Sequence, residues 1–319
     1  MKDELKSMMT EHWHYLALNA ACKLNLFDKI NEGQITVETL CIKNEWNKKA
    51  LSHLIQFLLN SNYLSSGNNS ILKLTEKGNY FKESNIEGLY YACINWSGEH
   101  LNAWQHLAYS IQSGHSSFEH FHQKPFFEYL NDNPDELDKY HKAMYQYALD
   151  DYRELASKID FSKHNSVMDI GGGYGAVLIM LKKEYPALTC YLFDLPEVID
   201  KVKNNSFEAV AGDFFHDFPK MADAIIISRV IHDWNDEKAA IILKNCFNSL
   251  PDKGKLYLIE NCVDKINIDL SLLSLNMTVM CESYERSSIE FISLCLNAGL
   301  KYESTIPLNQ LQSILIFQK

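Results

Sequence analysis

The chain has 319 residues, 46% of them hydrophobic and 22% charged, with a formal net charge of −11; this is the composition of a soluble globular protein of one large or two ordinary domains. The acidic balance, with arginine only at positions 153, 229 and 286, speaks against a surface that tracks nucleic-acid phosphates. No apolar run nears the roughly 18 residues of a membrane span and the first residues lack the pattern of a secretory leader, so a cytoplasmic protein without nucleic-acid or membrane partners is expected.

Residues 11–30 read as one amphipathic helix, with Trp13, Leu16, Ala17, Ala20, Leu24 and Phe27 at i, i+3, i+4 spacing. A short helix comes next at residues 36–40, and another at 47–60 that Asn47 can cap. Tyr63-Leu64, a polar turn at 65–69 and Ile71–Leu74 then have the form of a β-hairpin. Three helices and a hairpin outline a winged helix over residues 1–88. Residues 89–155 are helical and rich in aromatics, and no Gly/Pro/Ser linker separates them from the C-terminal half.

From about residue 165, strands and helices alternate. The strands expected are 166–170, 189–193, 208–211, 224–228, 256–260, 301–305 and 313–317. Runs such as Ala224-Ile225-Ile226-Ile227 show no polar alternation, as befits strands covered on both faces. The expected fold class is α/β: a doubly wound parallel sheet with two late strands over residues 156–319, preceded by the helical N-terminal domain. The eight cysteines form no C-x-x-C pair and several sit in apolar runs, so buried free thiols are expected. His115, His120 and His122 lack the companion spacing of a metal site, and no metal is expected.

Asp169-Ile170-Gly171-Gly172-Gly173-Tyr174-Gly175 ends a strand and opens a helix, where glycines let the backbone approach a ligand. Asp194, with Leu195 after it, ends the next strand and can accept from two ribose hydroxyls. Gly171, Gly173 and Ala176 also satisfy a dinucleotide pattern. Two features favour S-adenosylmethionine over a nicotinamide cofactor. Asp169 suits a cationic amino-acid head and would repel a pyrophosphate. Asp213-Phe214, after the third strand, suits the amino group and ring face of adenine. Beyond the fourth strand stands His232-Asp233-Trp234, on the sheet edge where ligands bind. His232 is poised to act as a general base, and Glu260 and Glu285 fall on the same edge, placed to orient it.

Together, DIGGGYG, FDLP, GDFF, ADAIIISRVIHDWNDE, LYLIEN and ESYERSSIEFISLCLNAGL resemble, in this order, the plant caffeate-type and bacterial natural-product O-methyltransferases. The segments ALNAACKLNLFDKI, KALSHLIQFLLNSNYL and LKLTEKGNYF resemble that family's winged-helix dimerisation domain. The resemblance implies methyl transfer from S-adenosylmethionine, leaving S-adenosylhomocysteine, to a hydroxyl of a small aromatic or polyketide-like acceptor. It implies His232 as base with Glu260 and Glu285 beside it. Donor contacts would come from Asp169, Gly171, Gly173, Asp194, Leu195, Asp213, Phe214 and Ser228; plant members often carry lysine at the last position, so that contact is expected to differ. Acceptor contacts would come from Trp104, Phe126, Met144, Asp233, Asn276, Met277 and Met280. A homodimer is implied, with the first helix reaching the partner's acceptor pocket through His12 or Trp13. Three other readings remain open: a relative that binds the same donor without methylating, a winged-helix regulator, and a nicotinamide enzyme.

Overall fold

The computed structural model describes residues 2–216 and 218–319. The chain divides into two compact units. One takes in the chain up to Gly98 together with Lys142–Tyr147; the other is Glu99–His141 with Ala148–Lys319.

In the first unit the helix expected over 11–30 is broken in two, Glu11–Lys23 and Leu26–Asn31, by Asn25 at φ 50°. Asparagine tolerates this left-handed conformation, which ends a helix and lets the chain re-enter at a new angle. The buried face of the first of these helices also differs from the one expected. Leu18, Ala21 and Cys22 point into the core with Leu26, Phe27 and Ile30, while Trp13 is 64% exposed and Leu16 is open to solvent. Leu51, Ile55 and Leu58 of the helix Lys48–Asn60 meet them, and Asn47 caps that helix by accepting from Ala50 N. The hairpin is present as β1 (Leu64–Ser66) and β2 (Leu72–Leu74), paired Leu64 to Leu74, so the unit is not all-helical.

The second unit is built on a seven-stranded sheet. Its strands are β3 (Ser166–Ile170), β4 (Thr189–Asp194), β5 (Glu208–Ala211), β6 (Ala224–Ser228), β7 (Lys255–Asn261), β8 (Lys301–Pro307) and β9 (Gln312–Gln318), in the order β5-β4-β3-β6-β7-β9-β8. The first five are parallel, and β9 runs antiparallel between β7 and β8. Successive side chains on a strand face opposite sides, and here both sides are packed. Met168, Ile170, Ile225, Ile227, Leu256 and Leu258 join Ala239, Ile242 and Leu243 of the helix Asp236–Ser249 and Phe291 of Ser288–Asn297. Val167, Ala224, Ile226, Tyr257 and Ile259 join Val177, Leu178 and Leu181 of the helix Ala176–Glu184. Apolar runs without alternation result from this double cover.

The strand order reverses direction between β3 and β6. That places the carboxyl ends of β3, β4, β6 and β7 around one crevice, where open sheets of this kind bind ligands. All eight cysteines are free, and seven are buried. Among the described residues, no helix is long and apolar enough to cross a membrane.

Candidate active site

After β3 the chain makes its glycine turn. Gly171 and Gly173 have φ of 68° and 57°, left-handed values that a side chain would resist. A Cβ on Gly171 would come 2.8 Å from Val230 Cγ2, and one on Gly172 would come 2.5 Å from Asp169 Oδ2. Asp169 lies beneath this turn, fully buried, and neither of its oxygens has a hydrogen-bond partner among the described residues. Burial, and then the charge of Asp194, push its carboxyl up to about 8. Asp194, at the end of β4, accepts from Gly173 N and Leu195 N, each at 2.8 Å. Burial raises it to about 6 against the pull of those two bonds. A buried acid without a partner, below a turn closed to side chains, fits a ligand that brings a cation and hydroxyls. Phe214 lies beside Gly171 and meets Trp234 edge-on. Asp213 is turned into its own loop, accepting from Phe215 N at 2.9 Å and standing 3.2 Å from His216. Ser228 ends β6 in register with Ile259.

Beyond β6, a single 3-10 turn over Ile231–Asp233 carries His232, which is 3% exposed. His232 Nδ1 lies 3.0 Å from Glu285 Oε1, which also accepts from Asn261 Nδ2 at 3.0 Å. Burial works against an ionised carboxyl, yet His232, Arg229 and Asn261 hold Glu285 down at about 2. A carboxylate only accepts, so Nδ1 carries the proton and Nε2 is the nitrogen left for a reacting group. Asp233 Oδ1 lies 3.6 Å from that Nε2. Burial would lower His232, but Glu285 first, then Asp233 and Glu260, lift it to about 9.

Glu260 differs from the expectation that it reaches the imidazole. Its Oε1 accepts from Val230 N at 3.2 Å and Ile231 N at 2.8 Å, which holds the backbone that presents His232. The cause is its place at the end of β7, level with the start of the loop after β6. Burial raises it to about 7, with His232 the main opposing influence. The ligand atoms of His232, Glu260 and Glu285 still lie within 4.8 Å of one another, so the three expected residues are brought together. Asp233 is buried with them.

Several contributors were missed from sequence. Asn261 fixes Glu285, and its only signal was its place beside Glu260. Arg229 sits at φ 54°, a strained conformation for a residue with a side chain. Its guanidinium is kept above its ordinary value, since Glu285, Tyr152, Glu260 and Asp151 together outweigh burial. Tyr140 contributes a ring packed edge-on to Phe126 and Phe127. His141 stacks on Tyr174, whose hydroxyl donates to Asp138 at 2.8 Å.

The expected acceptor residues separate into groups. Asn276 Oδ1 accepts from Trp104 Nε1 at 2.7 Å and from His100 Nε2 at 2.9 Å. Burial holds His100 down at about 4, so it is neutral at pH 7. Phe126 and Met280 lie in a packed cluster with Phe118 and Val279, and Met277 is buried nearby on the same helix, Ile268–Cys281. Met144 is half-buried on the stretch of the helix Pro134–Asp151 that is counted with the first unit. The histidine cluster has local partners: His115 pairs with Glu282 at 3.0 Å, His122 with Glu99 at 3.1 Å, and His120 stacks on Tyr109. A surface cleft of about 240 Å³ is bounded by Glu99, His106, Phe118, Phe121 and His122 and shares no residue with the His232 cluster.

A glycine turn after the first strand of such a sheet, an acid ending the second and a histidine held beyond the fourth define a Rossmann-like, S-adenosylmethionine-dependent methyltransferase. More narrowly, residues 104–301 match the O-methyltransferase domain family, and the chain belongs to it. It is 26% identical over 313 residues to the phenazine O-methyltransferase of Lysobacter antibioticus, covering 95% of this chain and 92% of that one. The solved structure of LaPhzM superposes with a TM-score of 0.94 at 25% identity, over 99% of this chain and 98% of that one. Human N-acetylserotonin methyltransferase in complex with its methyl donor shares the fold, with a TM-score of 0.92 at 22% identity over 100% and 97%. The chain is thus an O-methyltransferase, and the non-methylating alternative is not supported.

Proposed function

We propose that the chain methylates a phenolic hydroxyl on a fused or substituted aromatic ring, with His232 as the general base. The observation that carries this reading is the 3.0 Å contact from His232 Nδ1 to Glu285, which leaves Nε2 as the nitrogen that can take a proton. When bound, S-adenosylmethionine supplies a methyl group already activated on a sulfonium. The chain must therefore position an oxygen and remove its proton. A phenol titrates near 10, so it arrives mostly neutral. His232 accepts the proton at Nε2, Glu285 stabilises the imidazolium, and Glu260 fixes the turn beneath it. Asp169, Gly171, Gly173, Asp194, Leu195 and Phe214 would hold the donor, with Asp213 and Ser228 at the rim. Trp104, Phe126, Asp233, Asn276, Met277 and Met280 would border the acceptor, with Met144 as a further candidate. The names of the relatives, a phenazine enzyme and an N-acetylserotonin enzyme, agree with a planar aromatic acceptor.

Residues 1–88 serve in this reading as a winged-helix dimerisation domain, 89–155 as the acceptor region and 156–319 as the donor-binding domain of a cytoplasmic homodimer. The exposed Leu5, Met8, Met9, Trp13 and Leu16 support it, because they form an apolar stretch that a partner could cover. A monomer by light scattering at micromolar concentration would end the dimer proposal. The base is tested with His232→Ala, labelled donor and a panel of hydroxyphenazines and hydroxyindoles. The variant should bind S-adenosylhomocysteine normally by calorimetry and lose about 10²–10⁴-fold in turnover. Near-normal turnover would remove His232 from the chemistry.

A further inference from the structure

We propose that Arg286 is a positioning residue for methyl transfer, its buried guanidinium holding the backbone turn that aims His232. The inference rests on His232 being the base. Arg286 is only 1% exposed. Its Nη1 donates to Ile231 O at 3.3 Å and its Nη2 to Trp234 O at 2.8 Å. Ile231 opens the 3-10 turn that carries His232, and Trp234 is the residue that closes it. One side chain thus holds the carbonyls at both ends of that turn. Ile231 O also closes the turn by accepting from Trp234 N at 3.2 Å, and a cationic donor makes a stronger hydrogen bond to a carbonyl than a neutral one does. On the other side of the turn, Glu260 takes the N–H groups of Val230 and Ile231. The turn is held by a carboxylate through its donors and by a guanidinium through its acceptors.

Arg286 is itself held in place. Its Nε and Nη2 donate to Asp236 Oδ1 at 3.0 and 2.7 Å, and the rings of Tyr284 and Phe291 lie 4.9 and 5.9 Å from its guanidinium carbon. Its carbonyl accepts from Val263 N at 3.1 Å, which ties it to the chain just past β7. Glu285 and Arg286 are neighbours in sequence, so one short segment grips the ring of His232 and the backbone beneath it. Lysine carries the same charge, but one ammonium cannot span two carbonyls and a carboxylate as the planar fork does. Ser283 Oγ donates to the Trp234 carbonyl as well, at 2.9 Å, so that carbonyl keeps one donor when Arg286 is replaced.

The test compares Arg286→Lys, Arg286→Gln, Asp236→Asn and His232→Ala in the full chain, with a hydroxyphenazine as probe acceptor. The Arg286 variants should bind S-adenosylhomocysteine as the parent does, while kcat falls about 10- to 100-fold, the scale expected when a reacting group is misplaced by about 1 Å. KM for the donor should stay put. NMR titration of the His232 imidazole, assigned by its loss in His232→Ala, should move to lower pH as the ring slips from Glu285. The other charges that face it, Asp233, Glu260 and Arg229, are unchanged in these variants. Asp236→Asn, which keeps an oxygen for Arg286, should cost less than either Arg286 variant. Parallel loss of kcat and donor affinity, or failure of the Arg286 variants to fold, would reduce Arg286 to a prop for the fold and overturn the proposal. Unchanged kcat and an unchanged titration would overturn it as well. If His232→Ala still turns over, it is the base assignment that fails; if it is inactive beside fully active Arg286 variants, only the positioning role fails.

Discussion

Replacing Glu285 by glutamine keeps the shape of the side chain and removes the charge that faces His232 Nδ1 at 3.0 Å. Burial alone would take an imidazole below its ordinary 6.5, and Glu285 is the strongest of the three acids that lift His232 to about 9 instead. At pH 7 only about 1 in 100 molecules then holds the neutral imidazole that can accept a proton, given about tenfold per pH unit. A hydrogen bond to a charged group contributes about 1.5–3 kcal/mol, and each pH unit corresponds to about 1.36 kcal/mol. Without Glu285 the acid limb of kcat/KM, which reports the free enzyme, should therefore move down by about one to two pH units. On the alkaline plateau the effect has the opposite sense. The imidazolium formed during transfer has lost its carboxylate, and the rate should fall by about 10- to 100-fold, part of the 10²–10⁴-fold such a base supplies. Glu285→Gln is thus most impaired at high pH and least impaired near pH 6. The assay is kcat/KM with labelled methyl donor between pH 5.5 and 10. A uniform loss at every pH, with the limb where the parent has it, would refute the claim that Glu285 sets the ionisation of His232.

Asp194→Ala should weaken S-adenosylhomocysteine binding at least tenfold by calorimetry, since each charge-assisted hydrogen bond lost is worth about 1.5–3 kcal/mol; an unchanged Kd would mean the ribose is held elsewhere. For Asp169, the folded value of about 8 lies above the ordinary 3.8, so the folded state binds the proton more tightly and this group's contribution to stability declines as pH rises between those values. The gain in Tm of donor-free Asp169→Asn over the parent should accordingly widen from pH 5 to pH 9, and a constant gap in scanning calorimetry would rule this out. Activity should survive EDTA, because the methyl group arrives already activated on a sulfonium and the pair of His232 and Glu285, 3.0 Å apart, supplies the base; a loss restored by magnesium would show that the cluster works through a metal.

The sheet was legible because its chemistry repeats. Strands packed on both faces spell continuous apolar runs, so β3 and β6 fall on the residues expected; the largely exposed β5 does so too, its end marked by Gly212 and Asp213. The helices of the first unit were harder. Trp13, Leu16, Ala17 and Ala20 have a helix period as good as that of Leu18, Ala21 and Cys22, and it is packing against the helices Lys48–Asn60 and Tyr90–Asn95 that buries the second set. In the site, His232 and its acids stood out by residue type and by position along the sheet edge. The partner of each acid did not. Glu260 turns to the backbone and Glu285 to the imidazole for reasons of a few ångströms in loop placement, which spacing in sequence does not encode. Arg286 stood out only in the charge balance and as one residue of the segment ESYERSSIEFISLCLNAGL, because an arginine among polar neighbours gives no sign that it will be enclosed.

The order β7-β9-β8 has a consequence for how the enzyme is made. The strand that carries Glu260 lies against residues 312–318, with Ile259 opposite Ile314 and Glu260 opposite Ser313. While the chain is being synthesised from its N-terminus, the donor-side strands β3 to β6 can assemble, but that edge of β7 stays open until the last strand arrives. An open, apolar strand edge is a template for pairing with another nascent chain. Ribosomes stalled after β8 should therefore display a sheet that lacks its inserted strand, prone to aggregation and dependent on holding chaperones. Catalytic competence should appear only once β9 has slotted between its two neighbours.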